Sequence, residues 1–212
     1  MKIPHRDLEE MRVNPTGYLS RVARGGTEVR RRSVFRNWQL AIYEYHKRRD
    51  VIVAQAYFRN LCTRFVQTPA MLRRLEEHES AVADYATEFE GLGRAVVRTA
   101  IRVSLDLGNG MELGGEVGRL DIVAQGGYAA YLITHQTPSW DTQLRMPLLQ
   151  LCFARSLGVS PTDVVVGLYS YEDGRHFDRR FPLREVEAAE REARTLARRL
   201  ATARAQFGRV AT

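Results

Sequence analysis

Cysteine is scarce in this 212-residue chain: Cys62 and Cys152 are its only two, each in an apolar helical setting (RNLCTRF and LQLCFAR), and no C-x-x-C occurs. A structural zinc or an iron–sulfur centre therefore has no visible ligand set, and both thiols read as free and buried. Long apolar runs are missing too. None approaches the roughly 20 residues that span a bilayer, and the opening MKIPHRDLEE lacks a signal-peptide core, so a soluble, cytoplasmic protein with no membrane association is expected. No glycine-rich phosphate loop appears, which leaves ATP binding without support. Lysine is nearly absent, with Lys2 and Lys47 set against 30 arginines.

The cations that are present are unevenly placed. The whole chain carries a net charge of +7, and the segment from Arg21 to Arg49 holds nine Lys/Arg against Glu28 and Glu44. Its densest clusters are Arg30-Arg31-Arg32 and Lys47-Arg48-Arg49. Clustered arginine favours a polyanionic partner, through phosphate contacts and counterion release. Nucleic acid is the expected partner on this reading. An arginine-rich solvated surface is the plainer alternative.

Apolar spacing divides the chain. Residues 3–23 read as two short helices around a turn at Asn14-Pro15, and Gly25-Gly26 opens a basic loop. Helical spacing runs from Val34 to Val66 (Phe35, Trp38, Ile42, Tyr45, then Val53, Ala56, Tyr57, Leu61), and again from Ala70 to Val97. Strands are expected near 101–107, 117–123, 128–133 and 163–171, with an edge strand over 175–181. An amphipathic helix is expected over 139–157, with Pro147 either early in it or at a kink. The last helix, Pro182 to Phe207, is stopped by Gly208. The sum is a mixed α/β sheet flanked by helices: an N-terminal helical region (1–98) packed on a core (99–212), together one compact domain.

The segment IRVSLDLGNGMELGGEVGRLDIVAQGGYAAYLITHQT, from Ile101 to Thr137, reads as a β-meander turned at GNG and QGG. Asp121 lies in its middle strand, in the phrase GRLD, and the third strand ends in Thr134-His135-Gln136-Thr137. A carboxylate on one strand with polar groups on the next is a way to hold catalytic metal ions. This arrangement resembles the RecB-like branch of the PD-(D/E)XK nuclease superfamily, in which G-x-x-D is followed one strand later by D/E-x-K. The order of elements from about Thr99 to Gly208 is similar as well. The resemblance implies a restriction-endonuclease-like core.

Carried over residue by residue, Gly118 and Asp121 match that family, whereas Thr134 replaces the second acid and Gln136 replaces the lysine. Arg145 and Leu149 stand at the two positions of a following Q-x-x-x-Y, and Val97 to Ser104 offers no upstream acid. Asn14 stands where some members carry a cluster-ligating cysteine, so no iron–sulfur cluster is implied. Thr is a weak, neutral ligand for Mg²⁺, and Gln136 cannot supply the lysine's positive charge. The resulting expectation is a catalytically degenerate nuclease-fold protein that binds DNA or serves as a scaffolding subunit, with no cofactor. One alternative is an active Mg²⁺- or Mn²⁺-dependent deoxyribonuclease built on Asp121 and Gln136 with His135 or Glu116. The other is a module that meets an acidic protein partner in a nucleic-acid-processing complex. Alternation along the strand places His135 on the face opposite Thr134 and Gln136, as a hydrogen-bonded residue and not a ligand. Asp121 itself is expected either to lie unpaired near the sheet edge or to accept buried backbone amides.

Overall fold

The computed structural model describes residues 1–23, 33–124, 126–136 and 139–210. Its six strands form one mixed sheet: β1 (Lys2–Pro4), β2 (Ala95–Gly108), β3 (Met111–Ile122), β4 (Tyr128–Thr134), β5 (Val164–Ser170) and β6 (Arg175–Arg179). The hairpin between β2 and β3 turns at Asn109, in the left-handed region with φ 54°, between Gly108 and Gly110, which share that conformation. β3 and β4 are antiparallel, β4 and β5 parallel, and β5 and β6 antiparallel. The parallel pair is joined through α6 (Arg145–Leu157), as a crossover requires. Among the described residues, no helix is long and apolar enough to cross a membrane.

Helices cover both faces. Alternation along β3 to β5 sends Leu120, Ala130, Leu132, Val166 and Leu168 to one side, where they pack with α6 and with Val186, Ala193, Leu196 and Leu200 of α7 (Leu183–Val210). Ile133 and Tyr169 point to the other side, into a second core built by α3 (Val34–Arg48), α4 (Val51–Cys62) and α5 (Pro69–Gly91). Trp38, Tyr45, Phe58, Tyr85 and Phe89 fill that core, all buried to within 1%. Each of these three helices starts on a side-chain cap: Ser33 accepts from Arg36 N, Asp50 from Val53 N and Thr68 from Met71 N.

Several boundaries differ from the sequence reading. Residues 3–23 hold α1 (Leu8–Val13) and α2 (Pro15–Ala23), as the Asn14-Pro15 punctuation suggests, but Lys2–Pro4 joins the sheet as β1, parallel to β3. The single helical run over Val34 to Val66 is two helices, because Arg49 adopts a left-handed conformation (φ 58°) and Asp50 caps the next helix. α5 ends at Gly91 instead of continuing to Val97, and β2 starts at Ala95, six residues ahead of the expected strand. Gly91 and Gly93 disfavour helix there, and the β-branched Val96 and Val97 favour strand. Pro147 sits in the first turn of α6, where its missing N–H costs nothing. α7 continues through Gly208 to Val210, since one glycine costs only about 1 kcal/mol relative to alanine.

Candidate nucleic-acid interface

The sheet opens at β3. β2 pairs with β3 along one edge without a gap wider than a bulge, so the other edge is shared by β1, at Glu112 to Gly114, and β4, at Arg119 to Ile122. Between them, residues 115–118 have no strand neighbour on that side among the described residues. A cavity of about 650 Å³ fills the opening. His5, in the 3₁₀ turn after β1, closes one wall: its Nε2 lies 3.1 Å from the Glu116 carbonyl, to which it donates. Gly115, at φ 152°, makes this possible, because a Cβ there would lie 2.4 Å from the His5 ring. Gly118, the glycine of GRLD, has a similar reason to be glycine: a Cβ would stand 3.0 Å from both Ile133 Cγ1 and the Tyr131 carbonyl.

Charge around this cleft is mostly positive. Its lining includes Lys2, Arg6, Arg36, Arg102 and Arg145, and the carboxylates there are Glu112 and Glu116. Both acids are answered locally: Arg36 holds Glu116 at 3.1 Å, and Lys2 lies 3.7 Å from Glu112. Arg102 is exposed on β2. On α3, Arg36, Tyr43 and Lys47 recur at steps of seven and four and so share a helix face, with Lys47 about 16 Å further along the axis. Lys47 and Arg48 flank Glu44 at 3.8 and 3.0 Å, and Arg49 lies over the rings of Tyr45 and Phe89. Arg30, Arg31 and Arg32 lie outside the described residues.

Asp121 is elsewhere. It is paired with Ala129 in the hairpin, points toward the helical block and is fully buried. The expectation of an unpaired carboxylate is corrected: Arg119, two residues earlier on the same face and equally buried, places its Nε 2.8 Å from Oδ1 and 3.0 Å from Oδ2. The same guanidinium donates to the Tyr85 hydroxyl and, at 3.0 Å, to His176 Nε2, and it stacks on Phe89 and Tyr131. An arginine can only donate, so His176 Nε2 accepts and its Nδ1–H points to Glu88. By the same logic Tyr85, its oxygen taken by Arg119, donates to His46 Nε2 at 2.7 Å. Burial raises Asp121 above the usual carboxylate range against the opposing pull of Arg119, and burial next to Arg119 drives His46 down to about 2. This network ties β3 and β6 to α3 and α5.

Thr134 and Glu116 line the cleft, but Gln136 does not. Gln136 is exposed, and its carbonyl accepts from Thr134 Oγ1 at 2.8 Å. His135 turns to the other side, against Phe35 and Tyr171, beside a second cavity lined by Arg73, Arg74, Glu77 and His78. Asp121 is therefore not brought together with Thr134, Gln136 or His135; the acids that share the cleft with Thr134 are Glu112 and Glu116. Among the described residues, no group of three or more His, Cys, Asp or Glu is placed to hold a metal ion. Cys62 and Cys152 are buried and free. Sequence reasoning passed over His5, Arg6 and Arg102. The pairing of β1 with β3 brings His5 and Arg6 to the cleft, and no local pattern announces it; Arg102 comes with β2, opposite Glu116.

No protein-family model and no curated protein matches this chain. Among solved structures, SSO0001 is similar at 8% identity, covering 84% of this chain and 81% of that chain, with a TM-score of 0.29. A likeness at that level carries no argument about fold or function.

Proposed function

We propose that this chain is a catalytically degenerate, RecB-like nuclease-fold protein that binds DNA through the arginine-lined cleft without cutting it. One observation carries the reading. The carboxylate of GRLD is consumed in a buried pair with Arg119, while the opening in the sheet presents cations in place of metal ligands. A metal ion at Asp121 has to displace the Arg119 guanidinium, whose Nε lies beside both carboxylate oxygens and donates to Oδ2, in a site closed to water. Arg36, Arg102 and, further along α3, Lys47 suit a phosphate backbone that passes across the cleft.

Incubated with linear duplex, single-stranded or supercoiled DNA and either Mg²⁺ or Mn²⁺, the full chain is expected to leave every substrate intact while retaining it in a mobility-shift assay. Metal-dependent cutting that Asp121→Ala abolishes, with folding intact, would overturn the proposal. Replacing Thr134 by Glu and Gln136 by Lys together is expected to create no activity. Asp121 pairs five positions away from where Thr134 lies, about 16 Å along a strand.

A further inference from the structure

Arg145 is placed against three rules that normally govern an arginine. It is the first residue of α6, at the positive end of the helix dipole, with no acid in the first turn to offset it. It is partly buried, and its Nε is shielded from solvent with no hydrogen-bond partner among the described residues. Burial lowers its pKa, and among the described residues the acid acting on it is Glu9, which already accepts from Leu144 N and faces Arg12 at 3.6 Å. A guanidinium left this short of countercharge is costly to the fold unless something anionic reaches it. Arg145 lines the 650 Å³ cleft, together with Arg36 and the exposed Arg102, and the cleft has room for a nucleotide. His5, buried against Glu116, is held neutral and so adds no competing charge.

We infer that the cleft is a receptor for a phosphate monoester dianion, with Arg145 as its principal donor and Arg102 as a second. A planar guanidinium offers two parallel N–H groups to such an anion, and a monoester presents more free oxygens and more charge than an internal phosphodiester. Two sources share this chemistry: the terminal phosphate of a nucleic-acid strand and a free mononucleotide. Only the first rests on the DNA-binding reading above.

Thermal unfolding of the full chain tests the inference. Inorganic phosphate and AMP at millimolar concentration are expected to raise its Tm, and adenosine is not. Arg145→Met is expected to lose that response while keeping a ligand-free Tm at or above the parent's, since an unpaired buried charge has been removed. Arg102→Ala, at an exposed position, is expected to weaken the response and covers the case in which Arg145→Met folds poorly. A single strand carrying a 5′-phosphate that binds about tenfold tighter than its 5′-hydroxyl counterpart assigns the site to strand ends. AMP binding with equal affinity for the two strands assigns it to free nucleotides. No response to phosphate, AMP or the phosphorylated strand, or a response unchanged in both variants, overturns the inference. DNA binding that persists in that event leaves the proposed function standing, whereas a phosphate response without DNA binding removes that function and keeps the receptor.

Discussion

Replacing Arg119 by Met is expected to destabilise the fold by about 3–5 kcal/mol, the range for breaking a buried ion pair from one side. Asp121 would then hold a charge at zero exposure with no countercharge, and Tyr85 and His176 would lose their donor. The cost should lie mainly in the orphaned groups and not in the pair as such. Arg119→Met combined with Asp121→Leu is therefore expected to recover most of the loss, because apolar side chains of similar size can replace such a pair at little cost. Urea unfolding of the parent, both single variants and the double variant measures this directly. An Arg119→Met variant within about 1 kcal/mol of the parent contradicts the account of the network, as surface changes fall in that range.

Acid should unfold this protein earlier than carboxylate titration alone would. His5, His46, His78 and His176 are all held below the ordinary 6.5, with burial as the first cause in each. Below pH 6.5 the unfolded chain takes up protons that the folded chain refuses, so stability falls as pH falls, by about 1.4 kcal/mol per pH unit for each fully neutral histidine. For His46, down to about 2, the window stays open across the acid range. Glu88 adds a loss in the same direction at lower pH. Burial raises its pKa, but its bonds to His176 outweigh that and hold it below 4.5 overall, so its contribution disappears as pH falls through the folded value. Asp121, raised in the folded state, works in the opposite sense as it protonates. His46→Gln keeps an acceptor for Tyr85 and removes the titration. Its stability is expected to decline between pH 6.5 and 4.5 more shallowly than the parent's, by about 1 kcal/mol per pH unit. Parallel slopes for the two proteins would show that His46 is not the buried neutral group described here.

The sheet and its flanking helices were largely legible, because β-meander alternation and the spacing of α6 and α7 are local signals that burial of one face imposes. The N-terminal strand was not legible. Three residues of KIP carry no strand period, and what holds them is a parallel partner about 110 positions away, in Glu112 to Gly114. The cleft depends on that pairing, so its His5 and Arg6 wall was hidden with it. Asp121 was legible as an unusual acid in an apolar strand, but the role of Arg119 was not. An arginine at i−2 in a strand shares the acid's face, yet whether that face meets solvent, metal or a helical block depends on where α3 and α5 dock. His46, Tyr85 and His176 come from three distant elements and meet only in the folded chain.

DNA binding through the cleft is tested most directly by fluorescence anisotropy of a labelled duplex, titrated at several salt concentrations with the parent and with an Arg36→Ala, Arg102→Ala double variant. For three phosphate contacts the parent is expected to lose roughly 40-fold in affinity between about 50 and 200 mM salt. The double variant should bind more weakly at low salt, with a slope of log K against log salt reduced by about 1.8. A parent that fails to bind at low salt, or a double variant with unchanged affinity and slope, would contradict the assignment of this cleft to nucleic acid.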